Sequence, residues 1–449
     1  MNELAALKHR WDEEVLGDPS LDADGCAALR EWQYERRAAF GGRALCQVLR
    51  PNFITVQHLG HFSRVCRLLA SSLRKLTGGQ VKGPHWIEDA ELSAAAARLI
   101  KIDPGFDRLG VTVRLDAFET SSSLSFIELN AEAPAGIAYH DVLSEMFEGL
   151  DVVQRLRADG VRLRPQRVVG FLLQALLTTW KDWAGHRGKP RIAIVDWREN
   201  PTMNEFVLLA DAFSRRGYKT VVADPRDLSF RHGRLWAGNK PIDLVYRRLL
   251  FADCLARPEE VAPLVEAVTQ RAVCMVNPFR AAMFHRKRIW ADITAPEFLS
   301  GLLPEEEEAV RSHIPWTRRL RDGKSTGPEG EPIDLVAWVR GQRSRLVIKP
   351  DHQYGGQGVR LGWQEDEKSW DDALQEGLGR ASVVQLAVPL SYQRFPLLDG
   401  SGRSADFLVD QAPYLFRGKM GGFLTRLSSG PLANVTAGGS MVPTFVVGP

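Results

Sequence analysis

The sequence predicts an α/β (α+β) protein in which helices come first, a parallel sheet occupies the middle and charged strand pairs lie on either side of it. Three observations carry this expectation. Residues 165–280 alternate strand-like and helix-like patterns, which implies an open parallel sheet. Residues 111–130 and 346–361 each read as two short strands joined by a polar or glycine-rich turn. The first hundred residues repeat apolar side chains at three- and four-residue intervals among arginines, which is a helical period.

Ala27–Phe40 and Phe62–Leu76 show that period and Leu92–Ile100 is alanine-rich, so three helices are expected to cover one flank of the catalytic domain. Trp11, Trp32 and Trp86 are expected to pack. His58 and His61 lie near the second helix without a third ligand, and read as solvated or capping. Val111–Phe118 and Leu124–Asn130 follow as neighbouring strands, with Thr120–Ser123 as their turn. In the middle unit, Arg191–Asp196, Lys219–Ala223 and Asp243–Tyr246 are strands. Met203–Arg216, stopped by Gly217, and Glu259–Arg271 are helices. Ligands of such sheets gather beyond the carboxyl ends of the strands. Asp196, Arg198, Glu199 and Asn200 leave one strand there, and Arg247 and Arg248 another. Glu199, Asn200 and Arg247 are therefore candidates to grip a substrate carboxylate or amine, unless they only cap helices and meet water. Glu305–Glu308 reads as an acidic first helical turn and Lys324–Pro332 as a mobile surface loop. Leu346–Ile348 is a buried strand leading to Lys349-Pro350, Val359–Leu361 its return, Ser369–Leu378 a helix, and Val383–Val388 a buried strand stopped by Pro389.

Two constellations carry chemistry. Arg114 and Asp116 are two apart, as are Glu128 and Asn130, so each pair points to one face of its strand. Paired as a hairpin, they bring two carboxylates, an amide oxygen and a guanidinium together. Magnesium takes hard oxygen ligands and keeps positions for water and phosphate, so Asp116, Glu128 and Asn130 suit it. Arg114 would neutralise charge on a transferring phosphoryl group. In the second constellation Lys349 leaves a strand as a point charge suited to phosphate. The segment His352–Gly358 holds Gly355, Gly356 and Gly358 around Gln357, and lets backbone N–H groups approach phosphate closely. The loop returns as a strand, which excludes a Walker A loop and a dinucleotide fingerprint.

The order strand with lysine, glycine hairpin, helix, and strand with Gln385 resembles the nucleotide half of the ATP-grasp fold. That resemblance implies that Lys349 contacts the nucleotide, His352–Gly358 closes over the phosphates, and the backbone around Leu386–Val388 meets adenine. The magnesium candidates precede this half by more than two hundred residues, an order that resembles the circularly permuted ATP-grasp enzymes of the glutathionylspermidine synthetase type. The Arg-x-Asp … Glu-x-Asn pattern at Arg114, Asp116, Glu128 and Asn130, its continuation Ala131–Gly136, and Asn277-Pro278 … Lys287 carry the likeness; Lys287 corresponds to a second phosphate-contacting lysine. The resemblance implies an ATP-grasp fold in circularly permuted order, with a Rossmann-like parallel-sheet substrate domain and a helical N-terminal segment. The expected division is residues 1–104 helical, 105–160 magnesium-binding, 161–280 substrate-binding and 281–449 nucleotide-binding. The loop lacks the arginine of that family and the tail from Lys419 to Gly439 does not match it, so the chemistry class is implied but not the substrates.

Composition is ordinary for a globular chain: 449 residues, 44% hydrophobic and 25% charged. A net charge of +3 suggests no nucleic-acid partner. No secretory signal and no run of about eighteen apolar residues is present, so a cytoplasmic protein without a membrane partner is expected. Five scattered cysteines, without C-x-x-C pairs, read as reduced thiols. No Gly-x-Ser-x-Gly elbow competes as a nucleophile site. The expected function is an ATP- and magnesium-dependent ligase joining a small-molecule or peptide carboxylate to an amine through an acyl phosphate. The alternatives are a phosphotransferase on the same scaffold and a nucleotide-binding protein without turnover.

Overall fold

In the computed structural model the described residues are 3–77, 92–108, 110–185, 188–353, 355–430 and 439–448. Trp86, Tyr354 of the glycine loop and residues 431–438 of the tail lie outside them. The organising element is a six-stranded antiparallel sheet. Ser440–Val442, Lys419–Ser428, Ser404–Phe416, Thr112–Glu119 and Leu124–Asn130 lie in that order, and Tyr392–Pro396 pairs with the start of Ser404–Phe416. Period-two alternation divides this sheet into a dry face and a polar one. Val113, Leu115 and Ala117 turn into a core with Phe126 and Phe423, whereas Arg114 and Asp116 turn the other way. The helix Val56–Thr77 covers the dry face through Phe62, Val65, Leu69 and Leu73, spaced at three and four residues. The Phe62 ring stands edge-on to Phe423 at 5.0 Å.

A second sheet has four parallel strands in the order Cys274–Val276, Leu244–Arg247, Ile192–Val195 and Thr220–Ala223. Both faces are covered, so every residue of Ile192–Val195 is buried. Ile192 and Ile194 pack with the helices Val168–Ala184 and Met203–Arg215. Ala193 and Val195 pack on the opposite side, towards Ala262–Thr269. The third sheet is antiparallel, ordered Thr317–Arg319, Ser382–Leu386, Leu346–Pro350 and Arg360–Leu361, and Trp370 and Leu374 of the helix Glu367–Gly379 back it. Among the described residues no helix is long and apolar enough to cross a membrane.

Several expectations need correction. The N-terminal segment is not only a helical flank, because Asn52–Thr55 runs parallel to Thr444–Gly448 and joins the two ends of the chain. A helix at Glu3–Leu16 precedes the expected ones, and Trp11 anchors it by donating from Nε1 to the Leu49 carbonyl at 2.8 Å. The next helix is Ala23–Glu35, and Ala39–Phe40 instead pairs as a strand with Arg43–Ala44. The segment 324–332, expected to be a loop, forms a hairpin in which Lys324–Thr326 pairs with Pro332–Asp334. Its glycines and prolines serve a tight turn between strands too short to show alternation.

Asn277 fixes the parallel sheet to the six-stranded one. Its Oδ1 accepts from the Val111 and Thr112 N–H groups at 2.9 and 3.1 Å, and its Nδ2 donates to the Thr112 and Ala131 carbonyls, both at 2.7 Å. One buried side chain thus satisfies both ends of the 112–130 hairpin. Asn277→Ala leaves several buried backbone groups without partners and is expected to cost about 3 kcal/mol or more. Urea unfolding measures it, and a loss below about 0.5 kcal/mol would contradict the role of Asn277 as the staple.

Candidate active site

The hairpin positions the first wall. Arg114 lies opposite Asn130 and Asp116 opposite Glu128. The register then slips between Asp116 and Ala117, which leaves Ile127 as an extra residue on its strand. Such a bulge re-aims side chains locally. Here Ile127 and Glu128 both line the cavity while Phe126 and Leu129 stay in the core.

Two further charged residues, not singled out from the sequence, line the cavity. Asp410 and Arg426 are cross-strand partners on the neighbouring strands and extend the hairpin charges into a chain of four. Arg114 donates from Nε to Asp116 Oδ1 at 2.7 Å and from Nη2 to Oδ2 at 3.2 Å. Arg426 donates from Nη2 to the same Asp116 Oδ2 at 2.7 Å and from Nε to Asp410 Oδ2 at 2.5 Å. The other Asp410 oxygen accepts from the Ala117 N–H at 3.1 Å. Asp116 and Asp410 are 6% and 1% exposed, so burial alone would raise both carboxyls. For Asp116 the two guanidiniums win and hold it well below the usual carboxylate range. For Asp410 burial prevails over Arg426, with the Asp116 charge adding to the rise. The available signal was a charged residue next to buried apolar ones, Asp410 after Leu408 and Val409 and Arg426 before Leu427, since buried charges are rare without a partner.

The second wall comes from the third sheet and the segment before it. Lys349 is buried at the end of its strand and donates to Gln385 Oε1 at 2.6 Å, with the Ile127 carbonyl at 3.4 Å. Gln385 is held in turn by Thr317 at 2.9 Å. Lys287 Nζ stands 3.4 Å from Glu128 Oε1 and donates to the Gln353 carbonyl. Asp351 places it: its carboxylate accepts from Arg286 Nε at 2.6 Å and from the Arg288 N–H at 2.7 Å, and its carbonyl accepts from the Lys287 N–H at 3.2 Å. Past Asp351 the loop turns through Gly355, Gly356 and Gly358 at φ of 65°, 78° and 67°, a region that side chains disfavour. Arg360–Leu361 then returns against Val347 and Ile348.

The two walls enclose about 1020 Å³, including the open mouth. Of the residues singled out from sequence, Arg114, Asp116, Glu128, Asn130, Lys287, Lys349, Gly355, Gly356, Gln357, Gln385 and Val388 line this cavity. His352, Gly358 and Leu386 flank it without lining it. Its lining combines apolar side chains, among them Val347, Leu361, Trp363, Ala387 and Leu390, with four cationic side chains (Arg114, Lys287, Lys349, Arg426) and three carboxylates (Asp116, Glu128, Asp410). Apolar surface beside net positive charge matches a base joined to a polyphosphate.

The three expected substrate residues of the parallel sheet are not brought to the cavity. Arg247 is fully buried, and its guanidinium donates to the Asn277, Leu249 and Pro278 carbonyls. Asn200 bonds Asp196 at 2.8 Å and accepts from the Thr202 N–H. Glu199 pairs with Arg226 at 2.7 Å on the surface. Each serves the local loop, for the physical reason that a buried guanidinium or a strand-end carboxylate needs partners wherever they are nearest.

The donors fit a magnesium–nucleotide. Among the described residues the buried Asn130 Nδ2 has no hydrogen-bond partner, and its amide can present oxygen to a cation or N–H to a phosphate. Glu128 faces the cavity, and its one ion pair among the described residues is the long Lys287 contact. Among the described residues no three His, Cys, Asp or Glu side chains form a metal cage, so a cation here draws on Asn130 and on ligand oxygens.

No family model and no curated protein matches the sequence. A solved structure with a similar fold is the apo form of a glutathione synthetase-like effector from Globodera pallida, with TM-score 0.55 and 11% identity over 96% of this chain and 99% of that one. A Methylobacillus flagellatus protein assigned as a gamma-glutamylcysteine synthetase aligns at TM-score 0.44 and 12% identity, over 88% of this chain and 89% of that one. The chain shares the overall fold of the Globodera protein.

Burial, with Lys287 adding and Glu128 opposing, lowers the Lys349 ammonium to about 8. A bound polyanion favours the charged form and raises that value. Nucleotide affinity is therefore expected to be full below pH 8 and to fall as pH rises above it, with about one proton taken up on binding near pH 9. Titration calorimetry in buffers of different ionisation enthalpy measures the uptake. Affinity flat from pH 7 to 9.5 would remove Lys349 from the phosphate site.

Proposed function

We propose that this chain is an ATP-dependent carboxylate–amine ligase of the circularly permuted ATP-grasp type, forming an amide or peptide bond through an acyl phosphate. The observation that carries this reading is that Arg114, Asp116, Glu128 and Asn130 share one cavity with Lys287 and, across more than two hundred residues of chain, with Lys349 and the glycine loop. Its overall fold is shared with a glutathione synthetase-like protein, which supports the same class.

In this reading the base lies against Val347, Leu361, Trp363 and the linker Gln385–Val388. The linker is held still because the Leu386 and Ala387 N–H groups donate to the Trp316 and Arg345 carbonyls at 2.9 and 2.8 Å. Lys349 and Lys287 bind the phosphates, and the loop 352–358 excludes water from them. Asp116, Glu128 and Asn130 would hold magnesium, which would supply further positive charge to the phosphates. Arg114 and Arg426 hold the reacting carboxylate and the γ-phosphoryl group in line. A carboxylate oxygen attacks the γ-phosphorus as the bond to ADP breaks. The amine nitrogen then attacks the acyl carbon, phosphate leaves and the amine proton passes to solvent. No protein nucleophile is needed, consistent with five cysteines that are all buried.

Screening carboxylate and amine pairs is expected to find ADP and inorganic phosphate released only when both partners are present, together with an amide product. Glu128→Gln should retain the fold and lose this turnover by at least about a hundredfold. AMP with pyrophosphate would contradict the acyl-phosphate route, and a stable phosphorylated product would make the protein a phosphotransferase.

A further inference from the structure

Among the charges of the cavity, the ion chain Asp410–Arg426–Asp116–Arg114 raises a question that the proposed chemistry leaves open. The two guanidiniums best placed to meet a reacting oxyanion are already engaged, and both by the same carboxylate. Asp116 accepts three bonds, two from Arg114 and one from Arg426, between 2.7 and 3.2 Å. Its charge therefore stands where an external anion would otherwise be attracted. Asp410 differs. It is tied to the hairpin backbone through the Ala117 N–H and holds Arg426 through Nε. Arg426 consequently keeps its place when Asp116 is drawn elsewhere.

Resting on the ligase reading above, we propose that Asp116 is a resident counter-anion which closes an oxyanion site between Arg114 and Arg426 until metal–nucleotide draws its charge away. Asp410 is then a positioning residue that keeps Arg426 at the site. The occupant is a compact oxyanion, either a phosphoryl group or a substrate carboxylate. Binding order follows from this arrangement. Without metal, Arg114 and Arg426 are neutralised in pairs and attract no external anion. With Asp116 committed to a cation, two donors with five N–H groups each face the cavity with one carboxylate between them, and an oxyanion restores the balance. The nucleotide thus prepares the place for its co-substrate, a coupling that by linkage is reciprocal.

The test reads binding rather than turnover and needs no nucleotide in its first arm. Asp116→Asn removes the resident charge from the full chain. Its thermal midpoint is expected to rise by about 3 °C or more with added inorganic phosphate, while the wild-type midpoint shows only the small general effect of the salt. Asp116→Asn/Arg426→Ala should lose the response. A response to phosphate above that to acetate assigns the place to the phosphoryl group, and the reverse assigns it to a substrate carboxylate. An Asp116→Asn protein that responds to neither, or a double variant that still responds, overturns the proposal. Should Asp116→Asn fail to fold, the unaltered chain gives the second measurement. Phosphate binding by equilibrium dialysis should strengthen at least about tenfold with ADP and magnesium relative to ADP with EDTA, and equal binding in the two overturns the proposal. Failure of wild-type protein to bind ATP would instead refute the ligase reading and leave the first arm standing.

Discussion

Charge buried without compensation costs several kcal/mol, and the cavity wall is arranged around that constraint. Arg114, Asp116 and Asp410 are buried and Arg426 is largely so, and each is acceptable only because its neighbours in the chain of four are present. Those neighbours come from strands at residues 112–119, 404–416 and 419–428, so the charges can be satisfied only once both ends of the chain have met. The pairing closes a loop of nearly three hundred residues, the kind of non-local contact that slows folding. The parallel pairing of Asn52–Thr55 with Thr444–Gly448 repeats the requirement next to it.

Two polar side chains carry the junctions between the sheets. Asn277 joins the parallel sheet to the hairpin that holds Glu128 and Asn130. Asp351 joins the start of the glycine loop to the segment bearing Lys287. The difference between them has a functional consequence. Asn277 bonds to backbone groups and to the Thr112 hydroxyl within the core, whereas Asp351 sits where a glycine-rich turn leaves a strand. The loop beyond it therefore has an anchored base, which suits a cover that closes on phosphate.

Much of this was legible in the sequence where one physical signal acted alone. The strands Ile192–Val195 and Leu346–Pro350 are buried on both faces and read as apolar runs. The helix Met203–Arg215 starts and ends within a residue of its expected bounds, since apolar spacing and Gly217 agree. The pairing of Arg114 with Asn130 and Asp116 with Glu128 follows from period two, but the bulge at Ile127 does not, because an extra residue leaves no compositional mark. Asp410 and Arg426 were missed because the hairpin residues they bond, Ala117 and Asp116, lie about three hundred residues away. Arg247, Glu199 and Asn200 lie outside the cavity for the converse reason. A polar residue at a strand end looks the same whether it faces a ligand or a carbonyl, and here the Asn277 and Pro278 carbonyls claimed Arg247.

On the ligase reading, four distant stretches of sequence form one metal-dependent nucleotide site. Hydrogen exchange across the full chain, with and without ATP and magnesium, tests it most directly. The account predicts that residues 112–130, 286–288, 352–358 and 385–390 gain protection together, and that EDTA abolishes the gain in all four. Protection confined to one stretch, or unchanged by removal of the metal, would contradict it.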